Sequence, residues 1–231
     1  YYGSTPPAHN PPGLQEPASL KRLTRAANNK TANPDFLTPE CLEFYKTLHR
    51  LAPKVMRNPR LEVYTVNSGA EAVENMMKYL VSRFNSKKLA EEKPVTNRRF
   101  VYFDKAFHGR TVFALAVTQT LDPVATKDFH GLTSGGNIKL PSPAFDADRT
   151  DAENERAVEN VLSMVEMTVS QMKDEIVGVI VEPIQGAGGQ RVALPSFFQG
   201  LSRIAHEHGV ALAFDEVQTG LGATGKMFAI D

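Results

Sequence analysis

The chain has 231 residues, a length that indicates one domain or a domain and a half. Hydrophobic residues make up 42% and charged residues 23%, which is typical of a globular protein with a buried core. Lysine plus arginine and aspartate plus glutamate both number 26. The resulting net charge of zero argues against nucleic acid or an anionic membrane as a partner.

Cys41 is the only cysteine, which excludes an intramolecular disulfide and a thiolate zinc site. His206 and His208 lie two residues apart on a predicted helix and point to different sides, so no metal site is expected there or elsewhere. Without a signal peptide or a long apolar run, the chain is expected in the cytoplasm with no membrane partner. Targeting to an organelle by a segment upstream of residue 1 stays open.

The sequence pattern changes at about residue 35. Residues 1–35 are rich in proline, asparagine and glycine, which predicts a loop or extended arm. The helices predicted after it are Thr38–Leu51 with Pro39 at its first position, Ser68–Phe84, one from Thr150 with a Thr150/Glu153 capping box, and Pro195–His208 closed by Gly209. The predicted strands are Leu61–Val66, Phe100–Phe103, Ile176–Val181 and Val210–Phe214.

This alternation predicts an α/β fold over residues 36–231, with a largely parallel sheet flanked by helices. Two stretches interrupt the alternation. Asn85–Thr96 is rich in lysine and glutamate and is interpreted as an exposed charged loop, and Thr118–Phe145 is loop-rich. Ligands of such sheets bind at the carboxyl ends of the strands, and four predicted strand ends carry unusual residues.

The first strand end reads Asn67-Ser68-Gly69-Ala70-Glu71. Ser68 and Glu71 fit a capping box, so a helix is expected to begin here. Gly69 and Ala70 have almost no side chains and leave the first amides of that helix accessible, as a phosphate site requires. Taken alone, the motif is explained at least as well by a capped helix that binds nothing.

The second motif, Phe107-His108-Gly109-Arg110, follows the strand that ends at Phe103. Its aromatic ring could stack on a flat ligand ring, and its arginine could hold a carboxylate. A core phenylalanine beside a surface arginine is an equally good explanation of these residues in isolation.

The third motif begins at Glu182, at the end of a buried strand, and continues through a glycine-rich loop to Gly189. A buried carboxylate without a partner would cost several kcal/mol. We therefore expect an arginine or a ligand opposite Glu182.

The fourth motif is Asp215-Glu216-Val217-Gln218-Thr219-Gly220. Asp215 follows four apolar residues, so its carboxylate is expected to be poorly solvated and to stay ionised only opposite a cation. A protonated pyridine nitrogen is such a cation.

In this order the four motifs resemble those of the class III (ω-)aminotransferases, a family of fold-type-I pyridoxal-phosphate enzymes. The resemblance runs from about Thr31 to the end of the chain. It implies the large cofactor-binding domain of such an enzyme, in incomplete form. It also implies pyridoxal 5'-phosphate as cofactor, amino acids and 2-oxo acids as small-molecule substrates, and a homodimer.

The resemblance further implies roles for single residues. The cofactor-binding residues would be Ser68, Gly69, Ala70, Phe107, His108, Asp215, Val217 and Gln218. Gly69 and Ala70 would bind the phosphate, and Phe107 and Val217 would pack on the two faces of the ring. Asp215 would pair with the ring nitrogen, and Gln218 would reach the ring hydroxyl. Glu182 would stand near the substrate as a second catalytic candidate, and Arg110 is a candidate for binding the substrate carboxylate.

Within the family the sequence is similar to the lysine 6-aminotransferase and 4-aminobutyrate aminotransferase branch. The stretch Asn85–Thr96 is longer than in acetylornithine-type enzymes, and Ala223 stands where most members have arginine. Ala187, where the branch commonly has glutamate, departs from the pattern. The implied reaction moves an amino group from an ω-amino or diamino acid, such as 4-aminobutyrate or lysine, to 2-oxoglutarate.

Transamination needs a lysine that holds the cofactor covalently and moves the substrate proton. The family implies that this lysine lies one strand-and-turn unit beyond Asp215. Lys226 is the only lysine after Asp215, and it does not match that position. The chain is therefore expected to be a piece of a longer enzyme, inactive alone. The alternative is a truncated, non-catalytic relative that acts as a binding or assembly module.

Two nucleotide-binding alternatives do not fit. Gly220–Lys226 has the spacing of a phosphate-binding P-loop, but Met227 replaces the serine or threonine that would bind magnesium. No G-x-G-x-x-G follows a predicted strand, which argues against a dinucleotide-binding fold.

Overall fold

The computed structural model describes residues 16–29, 38–119, 124 and 136–231. These residues form two units: the smaller contains the described residues up to Tyr64 together with Asp231, and the larger contains the described residues from Thr65 to Ile230. The division predicted at about residue 35 stays a prediction. In the ranges described, no helix is both long and apolar enough to cross a membrane.

The elements alternate as an α/β fold requires. The helices are α1 (Pro17–Asn29), α2 (Pro39–Leu51), α3 (Gly69–Ala90), α4 (Val112–Leu115), α5 (Asp151–Gln171) and α6 (Pro195–His208), with a 3₁₀ turn at Lys54–Met56. The strands are β1 (Arg99–Phe103), β2 (Ile138–Leu140), β3 (Ile176–Val181), β4 (Ile184–Gln185), β5 (Arg191–Val192) and β6 (Ala211–Phe214).

A four-stranded sheet in the order β2-β1-β3-β6 forms the centre of the larger unit, and all of its neighbouring strands are parallel. The predicted parallel α/β sheet is thus confirmed. β3 lies inside the sheet and all six of its residues are buried. Val179 and Val181 pack with the valines of α5 and with α6, whereas Val177 and Ile180 pack with α3 on the other face.

The helix-capping residues identified in the sequence correctly predicted the ends of several helices. Thr38 Oγ1 accepts a hydrogen bond from Cys41 N (3.2 Å) at the start of α2. Glu153 N donates to Thr150 Oγ1 and Thr150 N donates to Glu153 Oε2, which completes the predicted capping box of α5. Gly209, with φ of 63°, ends α6 as expected.

The predictions for the first part of the chain were partly wrong. α1 occupies Pro17–Asn29, where a loop or extended arm was expected; the surrounding proline and asparagine residues obscured a short amphipathic pattern. Residues 1–15 and 30–35 lie outside the described residues. Leu61–Val66 forms no strand. Its residues alternate in polarity, but a strand also needs a neighbour to pair with, and none of the described strands pairs with this segment.

Two predicted loops contain regular structure. α3 continues to Ala90, so the exposed-loop interpretation of Asn85–Thr96 was wrong for its first half. Lys88 within it is buried, and its ammonium forms an ion pair with Asp174. The loop-rich stretch before α5 contains β2, which is only three residues long and thus too short to show an alternating pattern.

Candidate cofactor site

Two acidic residues follow directly from neighbouring strands at the carboxyl edge of the sheet. Val181, the last residue of β3, pairs with Phe214, the last residue of β6. The next residues are Glu182 and Asp215, which the sheet therefore places side by side. Both are buried. The four sequence motifs meet around this pair.

His108 lies against Asp215. Its Nδ1 is 2.8 Å from Asp215 Oδ2, and both side chains are almost fully buried. Burial by itself lowers the pKa of His108, but the hydrogen bond and the negative charge of Asp215 outweigh it, so the net shift is upward. The other carboxylate oxygen, Oδ1, accepts a hydrogen bond from Val217 N (3.0 Å). His108 and Val217 thus hold the Asp215 carboxyl group in one orientation.

Glu182 lies next to this pair under a different balance of forces. Its Oε1 accepts a hydrogen bond from Phe107 N at 2.9 Å, and only 8% of the residue is exposed. Burial raises the pKa of Glu182 to about 7; the charge of His108 and the Phe107 amide oppose the shift, and Asp215 adds to it. Glu182 is therefore poised to gain or lose a proton near neutral pH.

Gly109 brings the second motif against the start of α3. It has φ of +133°, and a Cβ atom there would lie 2.8 Å from Ala70 Cβ and 3.0 Å from Ala70 Cα. Only glycine fits this close approach. The contact places the first turn of α3 beside the residues around Phe107.

The start of α3 differs in detail from the predicted capping box. Glu71 N donates to Ser68 Oγ (3.2 Å), as expected. The Glu71 carboxylate, however, accepts from Asn67 N (2.7 Å) rather than from Ser68 N. The first-turn amides of a 22-residue helix carry the positive end of its dipole and suit an anion.

The remaining predicted residues lie at the rim. A Cβ on Gly186 would fall 1.8 Å from Gln218 Oε1, so the exposed Gln218 side chain lies directly on the glycine-rich loop of the third motif. Phe107 and Val217 are half-buried. Arg110 is exposed, and its guanidinium carbon lies 5.9 Å from the centre of the Phe107 ring.

Comparison with known proteins identifies the family to which the chain belongs. Residues 8–231 match the family model of the class-III aminotransferases. The chain belongs to the class III aminotransferase family. This finding confirms the resemblance inferred from the four motifs.

The individual proteins to which this class III chain is similar are also aminotransferases. It is 33% identical over 235 residues to the L-lysine-epsilon aminotransferase of Streptomyces clavuligerus, covering 99% of this chain and 49% of that protein. It is 30% identical over 247 residues to a probable mitochondrial 4-aminobutyrate aminotransferase of Caenorhabditis elegans, covering 99% and 50%. The solved lysine aminotransferase of M. tuberculosis superimposes with a TM-score of 0.82 at 28% identity, covering 96% and 50%. The chain spans about half the length of these relatives.

Class III aminotransferases depend on pyridoxal phosphate, and the residues present fit this cofactor. The start of α3 suits its phosphate, and the buried Asp215 carboxylate suits a protonated ring nitrogen. Phe107 offers a half-buried aromatic ring. His108 Nε2 is buried and has no hydrogen-bond partner among the described residues, so this network keeps one polar atom that a bound group would satisfy.

Sequence reasoning missed two supports of the site. Thr118 Oγ1 accepts a hydrogen bond from His108 N (3.0 Å) and lies within hydrogen-bonding distance of the Gly109 carbonyl. Glu216 is buried and accepts from Thr219 Oγ1 and from Ala229 N, which closes the loop after Asp215. The adjacent acidic residues at a strand end were a signal for Glu216; a lone threonine in a loop gives none for Thr118.

Proposed function

We propose that this chain is the cofactor-binding part of a pyridoxal-phosphate-dependent aminotransferase that moves an amino group from an ω-amino or diamino acid to 2-oxoglutarate. The observation that carries the proposal is the buried hydrogen bond between His108 and Asp215, with Glu182 beside it at the carboxyl edge of the sheet. Family membership and the lysine and 4-aminobutyrate aminotransferases among the relatives support it.

The cofactor, when bound, supplies a ring that stabilises negative charge on the carbon from which the donor loses a proton. Asp215 would keep the ring nitrogen protonated, which that stabilisation requires. His108 contributes by holding the Asp215 carboxyl group in one direction through their hydrogen bond. Ser68, Gly69 and Ala70 would hold the phosphate, and Phe107, Val217 and Gln218 would position the ring.

Substrate recognition would fall to Arg110 and Glu182, the two site candidates that are not assigned to the cofactor. Arg110 has an exposed guanidinium able to pair with a carboxylate. Glu182, whose pKa is raised to about 7, would ionise when the second ammonium group of a diamino acid approaches it. This pairing supports a donor that carries a distal amino group.

The non-catalytic alternative, a binding or assembly module, has no need of an intact ring-binding network. Asp215, His108 and Glu182 all remain buried and bonded to one another or to neighbouring amides. We therefore favour the enzyme. A homodimer in the cytoplasm is the assembly and location we propose, with an organelle as the other outcome because one relative is described as mitochondrial.

The test is an amino-transfer assay on the full-length protein loaded with pyridoxal phosphate. Lysine, 4-aminobutyrate and ornithine would be offered separately with 2-oxoglutarate, and glutamate formation would be measured. We expect turnover with at least one donor that has a distal amino group, above that with alanine. Cofactor binding without glutamate formation from any donor would support the non-catalytic alternative.

A further inference from the structure

A cavity of about 390 Å³ lies at the amino ends of β3 and β6. This is the edge of the sheet opposite to the cofactor site, about 17 Å away along the six residues of β3. The floor of the cavity is apolar and includes Leu80, Phe84, Ile176 and Val177. Its volume falls in the range of small-molecule sites.

The rim of this cavity is basic. The residues there that can carry positive charge are Arg83, Lys87, Lys88, Lys93, Lys173 and His208. Only Glu91 and Asp174 oppose them among the lining residues. Several of these groups come from the stretch Asn85–Thr96, which is rich in charge and has no role in the cofactor site.

Ion pairs neutralise part of this charge. Lys88 pairs with Asp174, and Lys93 pairs with Glu91 at 3.1 Å and with Asp174 at 3.7 Å. Both acidic groups are thereby engaged. Arg83, Lys87 and Lys173 form no ion pair with any described residue. Lys87 Nζ lies 3.4 Å from the Gly209 carbonyl, which leaves further N–H donors on that ammonium.

We propose that this cavity binds a small organic anion that carries two or more negative charges and an apolar portion. The three unpaired cations converge from α3 and from the segment before β3, and like charges held at one rim favour the entry of an anion. The apolar floor would cover the uncharged part of the ligand. The site is separate from the cofactor phosphate site, which lies at the other end of α3.

ATP is a suitable probe because it combines a polyphosphate with an uncharged ring system. Its affinity would be measured by titration calorimetry on the full-length protein already saturated with pyridoxal phosphate, so that the start of α3 is occupied. Pyrophosphate and adenosine would be titrated in parallel. We expect ATP to bind more tightly than either, with an affinity that falls as salt is added.

The deciding variant is Arg83→Met combined with Lys87→Met. Both side chains are exposed, so the fold should be retained, and a thermal melt would check this. ATP affinity should fall by at least about tenfold. Lys78→Met is the matched control, since Lys78 is an exposed lysine of the same helix that does not line the cavity; it should leave the affinity unchanged.

Three results would overturn the proposal. The first is no ATP binding at millimolar concentration, and the second is equal ATP affinity for the double variant and the unaltered protein. The third is pyrophosphate binding as tightly as ATP, which would remove the role of the apolar floor.

Discussion

The two edges of the central sheet differ in how far their ionisable side chains are buried. At the carboxyl edge, His108, Glu182 and Asp215 are buried, and each takes part in a hydrogen bond of 2.8 or 2.9 Å. At the amino edge, the charged ends of Arg83 and Lys87 reach solvent around an apolar floor. Even the one buried cation there, Lys88, is paired with Asp174, whose side chain is 57% exposed.

This difference in burial determines how much stability is lost when one partner of a charged or hydrogen-bonded pair is replaced. A buried partner that is left alone at the carboxyl edge keeps its charge in a poorly solvated place, which is costly. A partner that is left alone at the amino edge is hydrated by water instead. We therefore expect substitutions at the carboxyl edge to have larger effects than substitutions at the amino edge.

The largest effect is expected from Asp215→Ala. The substitution removes the carboxylate that would keep the ring nitrogen protonated, and it leaves His108 buried without its partner. We expect the amino-transfer rate of the full-length protein to fall by about 10²–10³-fold, the size of effect seen when one preorganised electrostatic contact is removed. Steady-state rates with a fixed donor and 2-oxoglutarate would measure it.

Asp148→Ala is the control, because Asp148 is an exposed acid in the turn before α5; its activity should match that of the unaltered protein. Near-normal turnover of the Asp215 variant would remove Asp215 from the site.

A second large effect is expected from Gly109→Ala, which tests how closely the carboxyl edge is packed. The new Cβ would strain a backbone with φ of +133° and would press on Ala70. Together, strain and overpacking should lower the free energy of unfolding by about 2–5 kcal/mol. Cofactor affinity should fall as well, because Ala70 belongs to the proposed phosphate site.

Gly222→Ala separates the two causes. Gly222 has φ of +95°, but nothing lies within 4 Å of a Cβ built there. It should show the strain alone, about 1–3 kcal/mol, in urea unfolding. Equal losses in the two variants would mean that the contact with Ala70 contributes nothing.

Sequence patterns predicted well what depends on neighbours in the chain. The caps at Thr150 and Gly209 and the buried strand Ile176–Val181 were all placed correctly. Asp215 was expected to need a cation because four apolar residues precede it. A partner for Asp215 was sought only in the cofactor, whereas the structure supplies the His108 ring as well.

What depends on distant residues could not be predicted. His108 and Asp215 are 107 positions apart, and Lys88 and Asp174 are 86 apart. No local pattern indicates which of two distant charges will meet. Leu61–Val66 shows the same limit, because alternation alone does not supply the strand with which it would have to pair.

Glu182→Gln should have a moderate effect that depends on pH. Burial raises the pKa of Glu182 from 4.5 to about 7, so ionisation destabilises the folded state. This cost is absent below pH 4.5, grows as the pH rises and is fully present above about 7. The variant should therefore be more stable than the unaltered cofactor-free protein by up to about 3 kcal/mol at pH 8, and nearly equal to it at pH 4.5.

Unfolding by urea at a series of pH values would give this difference. Glu159→Gln, at an exposed position of α5, should show no such trend. A constant difference between the Glu182 variant and the unaltered protein from pH 4.5 to pH 8 would contradict the raised pKa.

The smallest effect is expected from Lys88→Met, at the amino edge. Methionine can replace the buried aliphatic part of Lys88, and the partner Asp174 is exposed enough to be hydrated once the ammonium is gone. The melting temperature should change by no more than about 2 °C. His108→Met gives the contrast, since it leaves the buried Asp215 carboxyl group without its hydrogen-bond partner and should lower the melting temperature clearly more. If the two variants lost equal stability, burial of the remaining partner would not be what distinguishes the two edges.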